Sequence, residues 1–249
     1  YDDDPYVRIS YPDLIEEDGR YYLTETQKDI ARVHEIPAAL IEEMWAALAE
    51  ALGLASSVGN ATPEPCLLAL PARPGAAMPE RAALPALPWF RVRDGNAADY
   101  RGKDTGAGLA IELRVSLADL AAGCVLLDNR DSAGRGFCLG TAAGGALELT
   151  LNDGQTENRW TSDPVLRPGR RHHVVANLDG GPRIISSIID GRLCDGGDTR
   201  QFGWGRFNPY LRHVNGGCEL RIAPAVAQVW LYARPLRTAE AVRRSREGA

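Results

Sequence analysis

The sequence predicts an all-β protein built as an antiparallel sandwich. Three observations carry this. Short runs of β-branched and apolar residues follow one another from about residue 87, with turn signals at the roughly 8–12-residue spacing of sandwiches. Helical periods do not alternate with these runs, which excludes a parallel α/β sheet. The third is the stretch 170–194, R-R-H-H-V-V-A-N-L-D-G-G-P-R-I-I-S-S-I-I-D-G-R-L-C. It reads as strands at 172–178 and 183–189, joined by the turn Asp179-Gly180-Gly181-Pro182. Asp190-Gly191 is a strong hairpin signal into a third strand. Such a pair must bury one face against another sheet.

The bulk numbers bound the rest. The chain has 249 residues, room for one large all-β domain and something smaller. At 45% apolar and 24% charged it is ordinary globular material. A net charge of −5 favours neither nucleic acid nor an anionic membrane. No apolar run approaches the roughly 20 residues of a membrane span. The start, Tyr-Asp-Asp-Asp, has no Met, basic region or apolar region, and reads as a cut through a longer protein with any signal peptide upstream.

In chain order, 6–10, 20–24 and 30–36 read as strands, with a turn at Glu17-Asp18-Gly19. Three strands alone bury little, so a larger assembly is expected around them. Residues 37–52 are the clear helix. Pro37 suits its first position, and Leu40, Ile41, Met44, Trp45, Leu48 and Leu52 share one face. That face reads as packing, docking the strands to the C-terminal remainder of the chain. The stretch 55–88 holds Pro63, Pro65, Pro71, Pro74, Pro79, Pro85 and Pro88. It reads as an extended connector lying across a surface, because proline excludes helix and central strand. The sandwich then opens with a strand at 89–92. Further strands follow at 109–117, 123–128, 136–140, 146–152 and 155–161.

None of the five cysteines forms a C-x-x-C pair, so zinc is not expected. They read as small buried apolar side chains, or else Cys124 and Cys138 form a cross-strand disulfide about the turn at 131–134. His172 and His173 are neighbours on one strand and point to opposite faces, so they cannot share a metal. One is expected buried and the other exposed.

The loop 195–210 clusters Phe202, Trp204, Phe207 and Tyr210 with Arg200, Arg206 and Asn208. Aromatic faces beside planar hydrogen-bonding groups suit sugars, whose C–H faces stack on rings while hydroxyls bond amide and guanidinium. The other reading packs these aromatics inward over the sandwich edge. Gly203 and Gly205 let the Trp204 ring turn either way. The expectation leans to burial of Phe202 and Trp204, leaving Arg206, Asn208 and Tyr210 for a ligand. Asp195 and Asp198 are too few to assign Ca²⁺.

The pattern H-H-V-V-A-N-L-D-G…I-I-D-G-R-L-C resembles the central strands of laminin-G-like domains, in the concanavalin A-like lectin/glucanase superfamily. The run 222–236, with Thr238 to Glu240 after it, resembles that family's last strand and ending. The text S-Y-P-D-L-I-E-E-D-G-R-Y-Y-L-T-E-T-Q-K-D-I-A-R-V-H-E-I resembles the final blade of a sialidase-like propeller with BNR-type repeats. These resemblances imply a concanavalin A-like antiparallel β-sandwich (jelly roll) preceded by a partial propeller blade and one α-helix. The implied boundaries are 1–36 for the blade, 37–54 for the helix, 55–86 for the connector and 87–249 for the sandwich.

The blade resemblance implies that Tyr11 is a glycosidase nucleophile and that Glu25 braces a substrate-binding arginine. A neutral phenol approaches a carboxylate-bearing anomeric centre with less repulsion than a second carboxylate, and needs a base to take its proton. Pro12 stands where Ser is usual. The family's arginine triad, acid/base Asp and Asp-box repeats are not in this chain, so the chain alone is not expected to be active. The implied function is the C-terminal part of an exported sialidase-like glycoside hydrolase, its sandwich a carbohydrate-binding or scaffolding module. Trp204, Arg206, Asn208 and Tyr210 are its candidate binding residues. The alternative is a non-enzymatic adhesion or structural protein. Expected partners are a glycan or glycoconjugate and a missing N-terminal propeller of the same protein, with no cofactor, no metal and an extracellular or periplasmic location.

Overall fold

The structure, a computed structural model, describes residues 10–27, 30–51, 66–71, 75–90, 108–198 and 200–246. The chain forms two compact units, Tyr1–Val58 and Gly59–Ala249.

The first unit holds three antiparallel strands in chain order, β1 (Ser10–Glu17), β2 (Arg20–Gln27) and β3 (Ile30–Ile36). Asp18 and Gly19 both have positive φ, 52° and 74°, the two-residue turn whose twist matches its strands. The first strand runs further along the chain than the expected 6–10; residues 6–9 lie outside the described residues. Helix α1 (Ala38–Ala51) follows Pro37. On its apolar face Ile41 is buried, whereas Leu40, Met44 and Trp45 are exposed.

The second unit is an antiparallel β-sandwich. Its strands are β4 (Cys66–Leu70), β5 (Arg81–Ala83), β6 (Gly108–Ser116), β7 (Val125–Asp128), β8 (Gly136–Ala142), β9 (Ala146–Asn152) and β10 (Glu157–Thr161). They continue with β11 (Arg171–Asp179), β12 (Ile184–Ile189), β13 (Arg192–Leu193), β14 (Gly205–Arg206), β15 (Glu219–Ile222) and β16 (Val226–Tyr232). Helix α2 (Thr238–Arg246) closes the described chain. One sheet has the order β10-β9-β8-β7-β15-β5 and the other β13-β12-β11-β6-β16-β4, with β14 pairing β12. Leu109, Ile111, Leu113 and Val115 of β6, and Val174, Ala176 and Leu178 of β11, meet Phe137, Leu139, Leu149 and Leu151 of the facing sheet. This alternation is the period-2 pattern of a sandwich core.

The hairpin at Asp190-Gly191 forms as the sequence suggests, with φ of 52° and 75°. Asp190 also reaches back across it. Its Oδ1 accepts the His173 N–H at 3.0 Å, and its Oδ2 lies 2.8 Å from His172 Nδ1.

Several expectations change. The proline-rich stretch contributes two edge strands, β4 against β16 and β5 against β15. Neither strand holds a proline: β4 falls between Pro65 and Pro71, and β5 between Pro79 and Pro85. Trp89 and Phe90 are irregular rather than strand, and 91–92 lie outside the described residues. All five cysteines are free thiols, and only Cys138 and Cys194 are buried, whereas Cys124 and Cys218 are exposed. Cys138 pairs with Asp128 across the hairpin, and Cys124 lies beside Thr141, so the two cannot bridge. Both histidines are buried, neither exposed. The reason is α2, which the sequence did not suggest. It covers the outer face of the larger sheet, where Val175, Ile188 and Tyr232 form a second apolar cluster with Leu236 and Ala241.

Candidate functional site

The loop 195–217 is fastened to the sandwich at successive points. Asp163 is buried, and its Oδ2 accepts the N–H groups of Asp195 at 2.9 Å and Gly196 at 3.1 Å. Its other oxygen pairs with the Arg200 guanidinium, which also donates to the Thr161 carbonyl at 2.6 Å and lies over the Trp160 ring. Gly205 then sits directly on Trp160, where a Cβ would collide with the indole. Phe207 is buried and packs on Phe90, ring centroids 5.0 Å apart. The Asn208 N–H donates to Asn158 Oδ1 at 2.7 Å, and the Arg212 N–H to Asp153 Oδ2 at 3.0 Å.

These anchors decide which way the side chains face. Gly203 is buried, and any Cβ there would collide with the Cys194 carbonyl. Inward positions therefore fall on Gly203, Gly205, Phe207 and Leu211. Phe202, Trp204, Arg206, Asn208, Tyr210 and Arg212 are exposed. This overturns the expected burial of Phe202 and Trp204, which are 50% and 40% exposed. The two rings stack at 5.1 Å with 29° between planes, and the Arg206 guanidinium lies 5.7 Å from the Trp204 centroid. Tyr210 is 74% exposed. Asn208 Oδ1 accepts the Tyr210 N–H, so that amide holds the turn while it faces solvent. At the far end the exposed Trp89 meets His213, ring centroids 4.5 Å apart. Trp204, Arg206, Asn208 and Tyr210 are thus brought to one segment. Asp163, Trp160, Asn158 and Trp89, which support or extend it, carry no signal in the sequence because their roles arise from distant pairings.

Tyr11 and Glu25 lie in the first unit. The β1–β2 register pairs Ser10 with Thr26 and Asp13 with Thr24, so a bulge places Tyr11 and Pro12 together opposite Glu25. Proline has no N–H to give the ladder, which suits a bulge. The two side chains lie outside the described residues.

A separate polar cluster lies under α2. The Glu112 carboxylate accepts from His173 Nε2 at 2.9 Å and from Tyr232 Oη at 2.7 Å, and Arg244 Nη1 lies 3.7 Å away. Burial alone would push the Glu112 carboxyl up, but the bonds from His173 and Tyr232, with Arg244 beside them, hold it below the usual carboxylate range. Burial and the Glu112 charge push the Tyr232 phenol well up. Among the described residues no three His, Cys, Asp or Glu side chains gather to hold a metal, and no helix is long and apolar enough to cross a membrane.

The chain matches no protein-family model and no curated protein. Solved structures do resemble it. One is the CBM40 of Ruminococcus gnavus IT-sialidase bound to α2,3 sialyllactose, 12% identical over 72% of this chain and 98% of that one, TM-score 0.46. Another is the binding domain of botulinum neurotoxin DC in complex with rat synaptotagmin II, 11% identical over 56% of this chain, TM-score 0.43. The chain covers 35% of that structure, about a third of its length.

Proposed function

We propose that the sandwich is a carbohydrate-binding module and that the Phe202–Trp204 platform is its contact surface. The observation that carries this is the exposed, stacked aromatic pair with Arg206 against it and Asn208 and Tyr210 alongside. Exposed rings offer faces to sugar C–H groups, and the guanidinium and amide offer bonds to hydroxyls. Two stacked rings held outward by glycines that leave no inner room for a side chain serve no packing purpose on the core side.

Around this sits the wider reading. The sandwich is laminin-G-like, and residues 1–36 with the helix at 37–54 are the closing part of a sialidase-like propeller. The intact protein is then an exported glycoside hydrolase, with Tyr11 as nucleophile and Glu25 bracing an arginine supplied from upstream. The alternative, a non-enzymatic adhesion protein, uses the same platform. An upstream arginine triad with Asp-box repeats favours the enzyme.

The test of the platform is Trp204→Ala. Because the ring is exposed, the change is expected to cost under about 1 kcal/mol of stability while weakening glycan binding at least about tenfold. A thermal melt and a glycan titration read the two effects. A large fall in melting temperature with unchanged binding would make Trp204 a packing residue.

A further inference from the structure

We infer that the ligand is a linear, anionic polysaccharide laid along the edge strand β10, an inference that rests on the carbohydrate-binding reading. The geometry comes first. Gly205 meets Trp160, Asn208 meets Asn158 and Arg212 meets Asp153. As the loop advances, its partners recede along β10 and into the turn before it, so the segment runs beside that strand in the opposite direction. Exposed side chains alternate with inner positions from Phe202 to Asn208, and Pro209, Tyr210 and Arg212 continue the exposed face past the buried Leu211. The result is a strip, with the Phe202–Trp204 pair at one end and the Trp89–His213 pair at the other. Between Arg206 and Arg212 a turn at 208–211, closed by the Leu211 N–H on the Asn208 carbonyl at 3.1 Å, carries the exposed Tyr210 ring. Stacking surfaces at both ends and planar polar groups between them suit a ligand that extends through several sugar units.

Charge sets the ligand's chemistry. Residues 199–218 contain no Asp or Glu but carry Arg200, Arg206, Arg212 and His213, in a chain of net charge −5. Arg200 is spent on Asp163. The Arg206 guanidinium lies on the Trp204 ring, and Arg212 uses its backbone N–H, not its guanidinium, on Asp153. Among the described residues neither guanidinium has a carboxylate within ion-pair distance. The Asp153 carboxylate, which meets the strip at the Arg212 backbone, is turned towards the N–H groups of Gln155, Thr156 and Arg212, and Glu157 of β10 pairs with Arg159. Two unneutralised guanidiniums spaced along a stacking strip match acidic groups repeated along a chain, whether carboxylates of uronic acids or sulfates.

The experiment titrates the full chain with single sugars and hexamers of three kinds: neutral, uronic-acid and sulfated. The wild type is compared with Arg206→Gln and Arg212→Gln. Hexamers of at least one anionic kind are expected to bind at least about tenfold tighter than their single sugar. That binding is expected to weaken as salt rises and to fall in both variants. The tighter of the two anionic hexamers identifies the acidic group. Neutral hexamers binding as well as anionic ones would overturn the inference and leave the carbohydrate reading standing. So would an anionic single sugar matching its hexamer. No binding to any glycan would overturn both.

Discussion

Glu112→Ala is expected to destabilise the sandwich by about 3–5 kcal/mol, the cost of removing one partner from a buried charged cluster. Glu112 is only 2% exposed, and it joins three elements through His173 on β11, Tyr232 on β16 and Arg244 on α2. Removing it strands His173 Nε2 and the Tyr232 hydroxyl. His173 Nδ1 already has no hydrogen-bond partner among the described residues, so the ring has no second contact to fall back on. Urea unfolding at neutral pH reads the effect. A loss below about 1 kcal/mol would mean that α2 is held by its apolar contacts alone. The pH dependence has a definite sign. Because the folded-state carboxyl titrates lower than an unfolded one, its contribution is present above the usual glutamate value of about 4.3. It is lost as pH falls through the lower folded value. The gap between wild type and Glu112→Gln is therefore expected to narrow in acid.

Asp163→Ala is expected to abolish glycan binding, by a factor of at least about one hundred, and to cost about 1–3 kcal/mol. Asp163 touches no part of the exposed strip. It acts by positioning, since one carboxylate holds the N–H groups of Asp195 and Gly196 and the Arg200 guanidinium. Without it Arg200 loses its place over Trp160, on which Gly205 rests. The check is glycan titration together with hydrogen exchange at residues 195–206. Faster exchange with lost binding fits positioning. Native affinity would detach the platform from this anchor.

The parts of the fold legible in the sequence are those whose cause is local. Asp18-Gly19 and Asp190-Gly191 declare their hairpins because few other residue pairs accept two positive φ values in succession. The alternation in 109–117 and 172–178 marks strands wherever they pair. Helix α1 lies within a turn of its expected span, set by Pro37 and an apolar face. The elements that were not legible depend on distant partners. Helix α2, T-A-E-A-V-R-R-S-R, shows almost no apolar stripe. It is fixed by Ala241 packing on the sheet and by Glu240, which accepts from the Arg237 N–H and pairs with Arg234. Strands β4 and β5 hide among prolines because each is short enough to fit between two of them. The orientation of Trp204 was undecidable from its own neighbours. The Cys194 carbonyl and the Trp160 ring settle it by leaving no room on the inner side.

The central claim, that a glycan is held on the exposed strip, is tested most directly by the indole N–H resonances of the five tryptophans during a hexamer titration. Trp204 and Trp89 face solvent at the two ends of the strip, and Trp230 lies on β16 of the larger sheet. The expected result is a saturable shift of the Trp204 and Trp89 signals with Trp230 unmoved. Saturable binding that leaves Trp204 where it was, or that moves Trp45 of the first unit alone, would contradict the account.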